Sequence, residues 1–221
     1  MKIRSVFPVL AGIALILSGC KNMNKAQKGV LIGAGAGGVV GGVVGKAAGN
    51  TVLGAIIGAA VGGAAGGLIG RKMDKQAEEI AEIPGAEVKR VGEGINVTFE
   101  TGVLFGHDRD DLTTEARQRL TDLAKILNKY PDTYVLVEGH TDATGTDTYN
   151  MDLSRRRATS VATYLKTEDI RNERIITKWY GEAQPKFAND SETDRSKNRR
   201  VEFAIYANEK MVNDAKKEAG S

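Results

Sequence analysis

The sequence predicts an α/β (α+β) sandwich: two helices packed on one mixed sheet in βαβαβ order, preceded by a separate helical hairpin rich in glycine. Three observations predict it. Short runs of β-branched and aromatic residues alternate with helix-period stretches between Glu87 and Tyr206, which puts helices against one face of a sheet. Glycine recurs at every fourth position through most of Val30–Gly70, a spacing that lines one side of a helix. Glycine is concentrated before Arg71 and charge after it, so composition changes where the two parts join. At 221 residues the chain has room for one ordinary domain plus appendages.

Residues 1–19 read as a leader. Lys2 and Arg4 form a basic start, and Val6–Leu17 is an apolar run too short for a comfortable membrane span. Leu17-Ser18-Gly19-Cys20 resembles a bacterial lipobox. That resemblance implies cleavage before Cys20 and lipidation of Cys20, the single cysteine of the chain. Residues 20–28 then form the lipidated N-terminus and a polar tether. In residues 29–70 the four-residue glycine register runs from Gly33 to Gly49 and again from Gly54 to Gly70, breaking at Asn50-Thr51. This reads as two helices of about twenty residues joined by a turn. Glycine costs about 1 kcal/mol per residue relative to alanine in a water-exposed helix, so such a pair needs lipid or close packing. The segment resembles the glycine zippers of outer-membrane lipoproteins. Gly33-x-Gly35-x-x-Gly38 formally fits a dinucleotide fingerprint, but no strand precedes it.

Residues 71–84 read as a charged, solvated connecting helix ended by Pro84-Gly85. The domain proper spans residues 85–208. Glu87–Arg90 and Ile95–Phe99 form a hairpin around Gly92-Glu93-Gly94. A helix over Thr114–Asn128 has Leu120, Leu123, Ala124 and Leu127 on one face, and Pro131 follows its end. Tyr134–Glu138 is a strand, Met151–Lys166 a helix, and Arg174–Trp179 and Arg200–Tyr206 are the last strands. Residues 209–221 are polar and read as a disordered or frayed tail.

The candidate chemistry lies around the strand at Tyr134–Glu138. Its end carries Gly139-His140-Thr141-Asp142, followed by a turn-rich loop and a helix for which Asn150 is the expected cap. At 100° per residue, Leu153, Val161, Tyr164 and Leu165 share a face, and Arg157 falls inside it. A guanidinium there is costly unless satisfied. It is a snorkelling side chain, an ion pair with nearby Asp142, or a fork held for a ligand carboxylate.

The run from Gly139 to Ala158 resembles the signature of the OmpA-like C-terminal domain, the peptidoglycan-binding module of outer-membrane proteins and lipoproteins. Tyr180-Gly181-Glu182, Pro185 and Asn189 match further positions, and Asn198-Arg199-Arg200-Val201-Glu202 resembles the family's N-R-R-V-E ending. The resemblance implies that Asp142 and Arg157 grip the free amino-acid end of diaminopimelate in the stem peptide, with Asn150, Arg199 and Thr141 assisting. It departs from the family at Gly106, where an Asp is common; His107 or Asp108 could substitute. Asp194 is an extra acid beside the later motif. The partners implied are peptidoglycan and, through the lipid, the outer membrane with the domain facing the periplasm. Homo-oligomers through the zipper are a further expectation. No cofactor or metal is expected. A formal charge of +3 gives no case for nucleic acid. Two alternatives stay open: a metal-dependent wall hydrolase using His107, His140 and Asp142, and a membrane-inserting or oligomerising zipper protein.

Overall fold

The computed structural model describes Val61, residues 63–106 and residues 108–220. The leader, Cys20, the tether and the glycine-rich hairpin with its expected turn at Asn50-Thr51 lie outside the described residues, apart from the stretch nearest Gly70; so does His107.

The described elements run α1 (Gly63–Ala81), β1 (Glu87–Val91), β2 (Gly94–Glu100), α2 (Thr101–Leu104), α3 (Thr114–Lys129), β3 (Thr133–Gly139) and α4 (Asp147–Thr167). A 3-10 turn (Asn172–Arg174), β4 (Ile175–Trp179), α5 (Glu192–Asn198), β5 (Arg200–Ala207) and α6 (Glu209–Gly220) follow. The strands form one sheet in the order β1-β2-β5-β3-β4. Only β3 and β4 are parallel; α4 is the crossover that such a pair needs.

Alternation along the strands decides the two faces. Val97 and Phe99 of β2, Val135 and Val137 of β3, and Phe203 and Ile205 of β5 all point at the helices. Leu120, Leu123 and Leu127 of α3 and Val161 and Leu165 of α4 meet them, all fully buried. Each such side chain contributes about 1.5–3 kcal/mol by leaving water. Gly139 lets α4 lie directly on β3, because a Cβ there would overlap the Ser154 carbonyl.

The two expected helices, α3 and α4, cover this face, but two more join them. α1 is not a solvated connector. It runs unbroken across Gly70-Arg71 and buries Ile69, Met73, Ala77 and Ile80 in the common core. The expected polar tail is α6, which packs Met211 and Ala215 into the same core. Among the described residues no helix is long and apolar enough to cross a membrane. α4 also starts earlier than expected. Thr146, not Asn150, caps it, accepting from the Tyr149 amide at 3.3 Å.

Candidate functional site

β2 and β3 end, and β5 begins, at the same edge of the sheet: Glu100 pairs with Arg200 and Gly139 with Val201. Backbone bonds continue past the strands and gather the loops there. Thr101 donates to the Arg199 carbonyl at 2.7 Å, His140 to the Arg200 carbonyl at 3.0 Å and Thr141 to the Gly181 carbonyl at 2.9 Å. Gly181 adopts φ 53° against the first turns of α4, where Met151 N would lie 3.0 Å from any Cβ. Between these loops, α2, α4 and α5 lies a cavity of about 530 Å³, within the roughly 300–1,000 Å³ usual for ligand sites.

All five sequence-predicted ligand residues, Thr141, Asp142, Asn150, Arg157 and Arg199, line this cavity. The pairing among them differs from the expected one. Asp142 pairs with Arg199 at 2.6 Å, not with Arg157. Its other oxygen accepts from the Thr144 amide at 2.9 Å and from the Thr144 hydroxyl. Burial pushes the Asp142 carboxyl up, but the bonds from Thr144 and Arg199 outweigh it and hold it below the usual carboxylate range. Arg199 is committed twice, since its second terminal nitrogen meets Glu192 at 2.5 Å. Burial opposes its charge, yet these two acids raise its pKa.

Arg157 is 4% exposed. Its Nε donates to the Arg109 carbonyl at 2.9 Å, and its guanidinium lies 5.5 Å from the Phe105 ring centroid. Among the described residues it makes no ion pair and no other hydrogen bond. Burial lowers its pKa, and the Asp108 charge is the foremost influence opposing that. Snorkelling and an Asp142 pair are therefore both excluded by the geometry. Asn150 is a loop staple: its amide nitrogen lies 2.9 Å from the Thr144 carbonyl and 2.5 Å from Glu182.

Sequence reasoning missed Glu100, Thr101 and Glu192, which also line the cavity. Asp108 reaches the cavity wall from a left-handed backbone, φ 53°, a conformation that a non-glycine residue adopts mostly where the surroundings enforce it. Asp194 does not line the cavity; it interacts with Ser191 at the start of α5. The Thr101 and Thr141 hydroxyls are buried without a hydrogen-bond partner among the described residues. In total the lining holds four carboxylates, Glu100, Asp108, Asp142 and Glu192, and two guanidinia. With Arg199 already paired, the arrangement suits a ligand carboxylate at Arg157 and a ligand cation at the acids.

His140 does not join Asp142. It lies on the opposite face of the sheet, fully buried, stacked on Tyr180 at 5.4 Å and 3.8–3.9 Å from Glu202 and Glu138. Burial and the Arg200 charge pull its pKa down to about 3. Arg200 donates to Glu202 at 2.6 Å, and Lys186 approaches the same carboxylate at 3.1 Å. Among the described residues no group of three His, Cys, Asp or Glu is placed to hold a metal.

The model of the OmpA family matches residues 104–199, and that of the YMGG-like Gly-zipper matches residues 1–74. The chain is 34% identical over 131 residues to the outer-membrane lipoprotein YfiB of Pseudomonas aeruginosa, covering 59% of this chain and 78% of that protein. The chain belongs to the OmpA family. Other OmpA-family relatives include the peptidoglycan-associated lipoprotein of Haemophilus influenzae, 42% identical over 46% of this chain and 67% of that protein. The probable lipoprotein YiaD of Escherichia coli is 37% identical over 55% of each chain. With several of these curated relatives the match spans a little over half their length. Among solved structures, the cell wall anchor of the T6SS from Pseudomonas aeruginosa superposes with a TM-score of 0.55 at 27% identity, covering 61% of this chain and 96% of that one. The OmpA-family match includes Asp142, Asn150, Arg157 and Arg199, and its zipper companion includes Cys20.

Proposed function

We propose that this protein binds peptidoglycan without covalent attachment, through the diaminopimelate of the stem peptide. Arg157 takes the carboxylate at the free end of that residue, and the acids around Asp142 take its ammonium. The observation that carries the reading is the Arg157 fork: buried, uncommitted at its terminal nitrogens among the described residues, and open to a cavity that also holds four carboxylates. A zwitterion satisfies both halves at once. Thr141 and Thr101 offer hydroxyls, while Asn150 and Arg199 hold the loop that presents Asp142. Lipidated at Cys20, the chain anchors in the outer membrane with this domain in the periplasm. The membrane is thereby tethered to the wall, and no bond in the wall is broken. The names of the lipoprotein relatives support this placement.

The test is co-sedimentation with purified peptidoglycan. Asp142→Ala and Arg157→Ala, each shown to be folded, should lose retention, and sacculi with lysine in place of diaminopimelate should retain the wild type poorly. Full retention by both folded variants would refute the assignment. For the glycine segment, deleting residues 30–60 while keeping Cys20, which spares α1, should reduce membrane retention or assembly size.

A further inference from the structure

A second cleft, of about 470 Å³, flanks α4 and is lined by Asp147, Thr148, Met151, Asp152, Arg155 and Trp179. Its apolar members are exposed: Trp179 is 40% exposed and Met151 41%. An indole face left in water beside a cleft is a platform on which a flat apolar face can stack. Here the apolar surface is one flat indole and a thioether, and the rim is hydroxyl and carboxylate. Arg155 holds Asp152 by an ion pair at 2.6 Å, so that acid is oriented at the rim.

We propose that this cleft binds the N-acetylated amino-sugar strand of the wall polymer, with a pyranose ring lying on Trp179. A sugar presents an apolar C–H face and an equatorial belt of hydroxyl and amide donors. The indole suits the first, and Asp147, Asp152 and Thr148 suit the second. The inference rests on the peptide-binding reading above, and that reading selects the occupant. At about 100° per residue, Tyr149, Asn150 and Arg157 face the first cavity, while Met151 and Arg155 face the second on the other side of the same helix. A helix with side chains is about 10–12 Å across. The path over its outer surface is longer than that diameter. Three extended residues span about 10 Å, and the diaminopimelate side chain, gripped at its far end, together with the ether link to the sugar extends the reach beyond the three residues. The diaminopimelate is the third residue of a stem whose first is bonded to the sugar, so a ligand seated in one cleft carries its sugar across α4 to the other.

Trp179 is the single tryptophan of the chain, so its fluorescence reports this cleft alone. The full chain in detergent is titrated with three probes: a peptide-free amino-sugar tetrasaccharide, the free stem tripeptide, and the disaccharide-tripeptide. The tetrasaccharide should shift Trp179 emission. The disaccharide-tripeptide should bind about five- to tenfold tighter than the tripeptide, an aromatic-contact increment that Trp179→Ala removes. Binding of the tripeptide itself should be unchanged in Trp179→Ala. If the tripeptide binds but the disaccharide adds nothing and the emission is silent, the sugar cleft is refuted while the peptide site stands. If the tripeptide fails to bind, the peptide reading falls and the argument for this occupant falls with it. Emission that follows protein concentration instead assigns the cleft to a second copy and overturns the proposal.

Discussion

Arg157, Arg174 and Arg200 are all buried, and the regions around them differ in one respect. Arg174 donates to the carbonyls of Thr133 at 2.8 Å and Leu127 at 2.9 Å, and its Nη2 also lies 3.0 Å from the Thr133 hydroxyl. Arg200 meets Glu202 and the carbonyls of Asn198 at 3.1 Å and Gln184 at 3.0 Å. Among the described residues, Arg157 has one bond, to a carbonyl, and a ring face. The first two close the molecule on itself: one ties the 3-10 turn to α3, the other ties the loop after β4 across the sheet. The third leaves hydrogen-bonding capacity turned toward a cavity. Burial alone does not separate a structural cation from a binding one; the account of where its donors go does.

That contrast breaks if the wrong arginine proves structural. Arg200→Ala removes the nearer of the two cations on the buried Glu202 carboxylate, leaving Lys186, and should cost about 3–5 kcal/mol in urea unfolding, with wall binding lost only as the domain unfolds. Arg157→Ala should do the reverse. Binding to soluble muropeptide should fall by about 30- to 100-fold, as expected when one partner of a buried charge contact is removed, while the unfolding free energy moves by less than about 1 kcal/mol. Arg157→Lys should recover only part of the binding, since it keeps the charge and loses the fork.

The buried cluster also gives a pH signature of its own. In the unfolded chain His140 takes up a proton near its ordinary pKa of 6.5, but folded it does so only near 3. The unfolded state therefore binds the extra proton in that window, and stability falls as the pH drops through it, by at most about 1.4 kcal/mol per unit. Glu202 extends the loss to lower pH. Its burial is overridden by Arg200 and Lys186, which hold it near 2, so its contribution disappears as the pH falls from its ordinary 4.5 toward that value. His140→Gln should flatten the dependence between pH 6.5 and 5, measured as urea midpoints, and leave muropeptide affinity nearly unchanged. The smallest expected effect is at the start of α4. Thr146→Ala should cost about 1 kcal/mol of stability, since Thr146 is the cap there.

Much of the fold was legible because period-2 and period-3.6 patterns coincide with the buried faces. The strand pairs around Gly92 and the faces of α3 and α4 are set by the apolar residues that the pattern singles out. α1 and α6 depart from their expected solvated character for a common reason. Each buries a narrow stripe under a charged exterior: Met211 and Ala215 are the buried residues of α6, and α1 even buries Gln76. Charge density in such a helix reports its outer side only. The residues that the motif singles out share one cavity, but their pairing is not legible from it. Arg199 reaches Asp142 from 57 residues away, by way of α5, and takes the partner that local spacing assigned to Arg157. Glu192 has no signal before α5 is placed, because an acid in a helix's first turn reads as a favourable end charge. Asn150 reads as a cap because it is a cap-forming residue type; a threonine with the same ability precedes it by one turn.

β2 starts beside Glu93, whose carboxylate accepts from the Val61 amide at 2.9 Å, and ends at Glu100 in the cavity wall. The chain thus enters the domain at one end of the sheet and offers its cavity at the other, about 20 Å away along seven residues of strand. A membrane and a wall drawing on these two ends would load the sheet lengthwise. Interstrand bonds lie across that direction, so β2 and β5 would carry the strain together in shear, and none would open first as the teeth of a zip do.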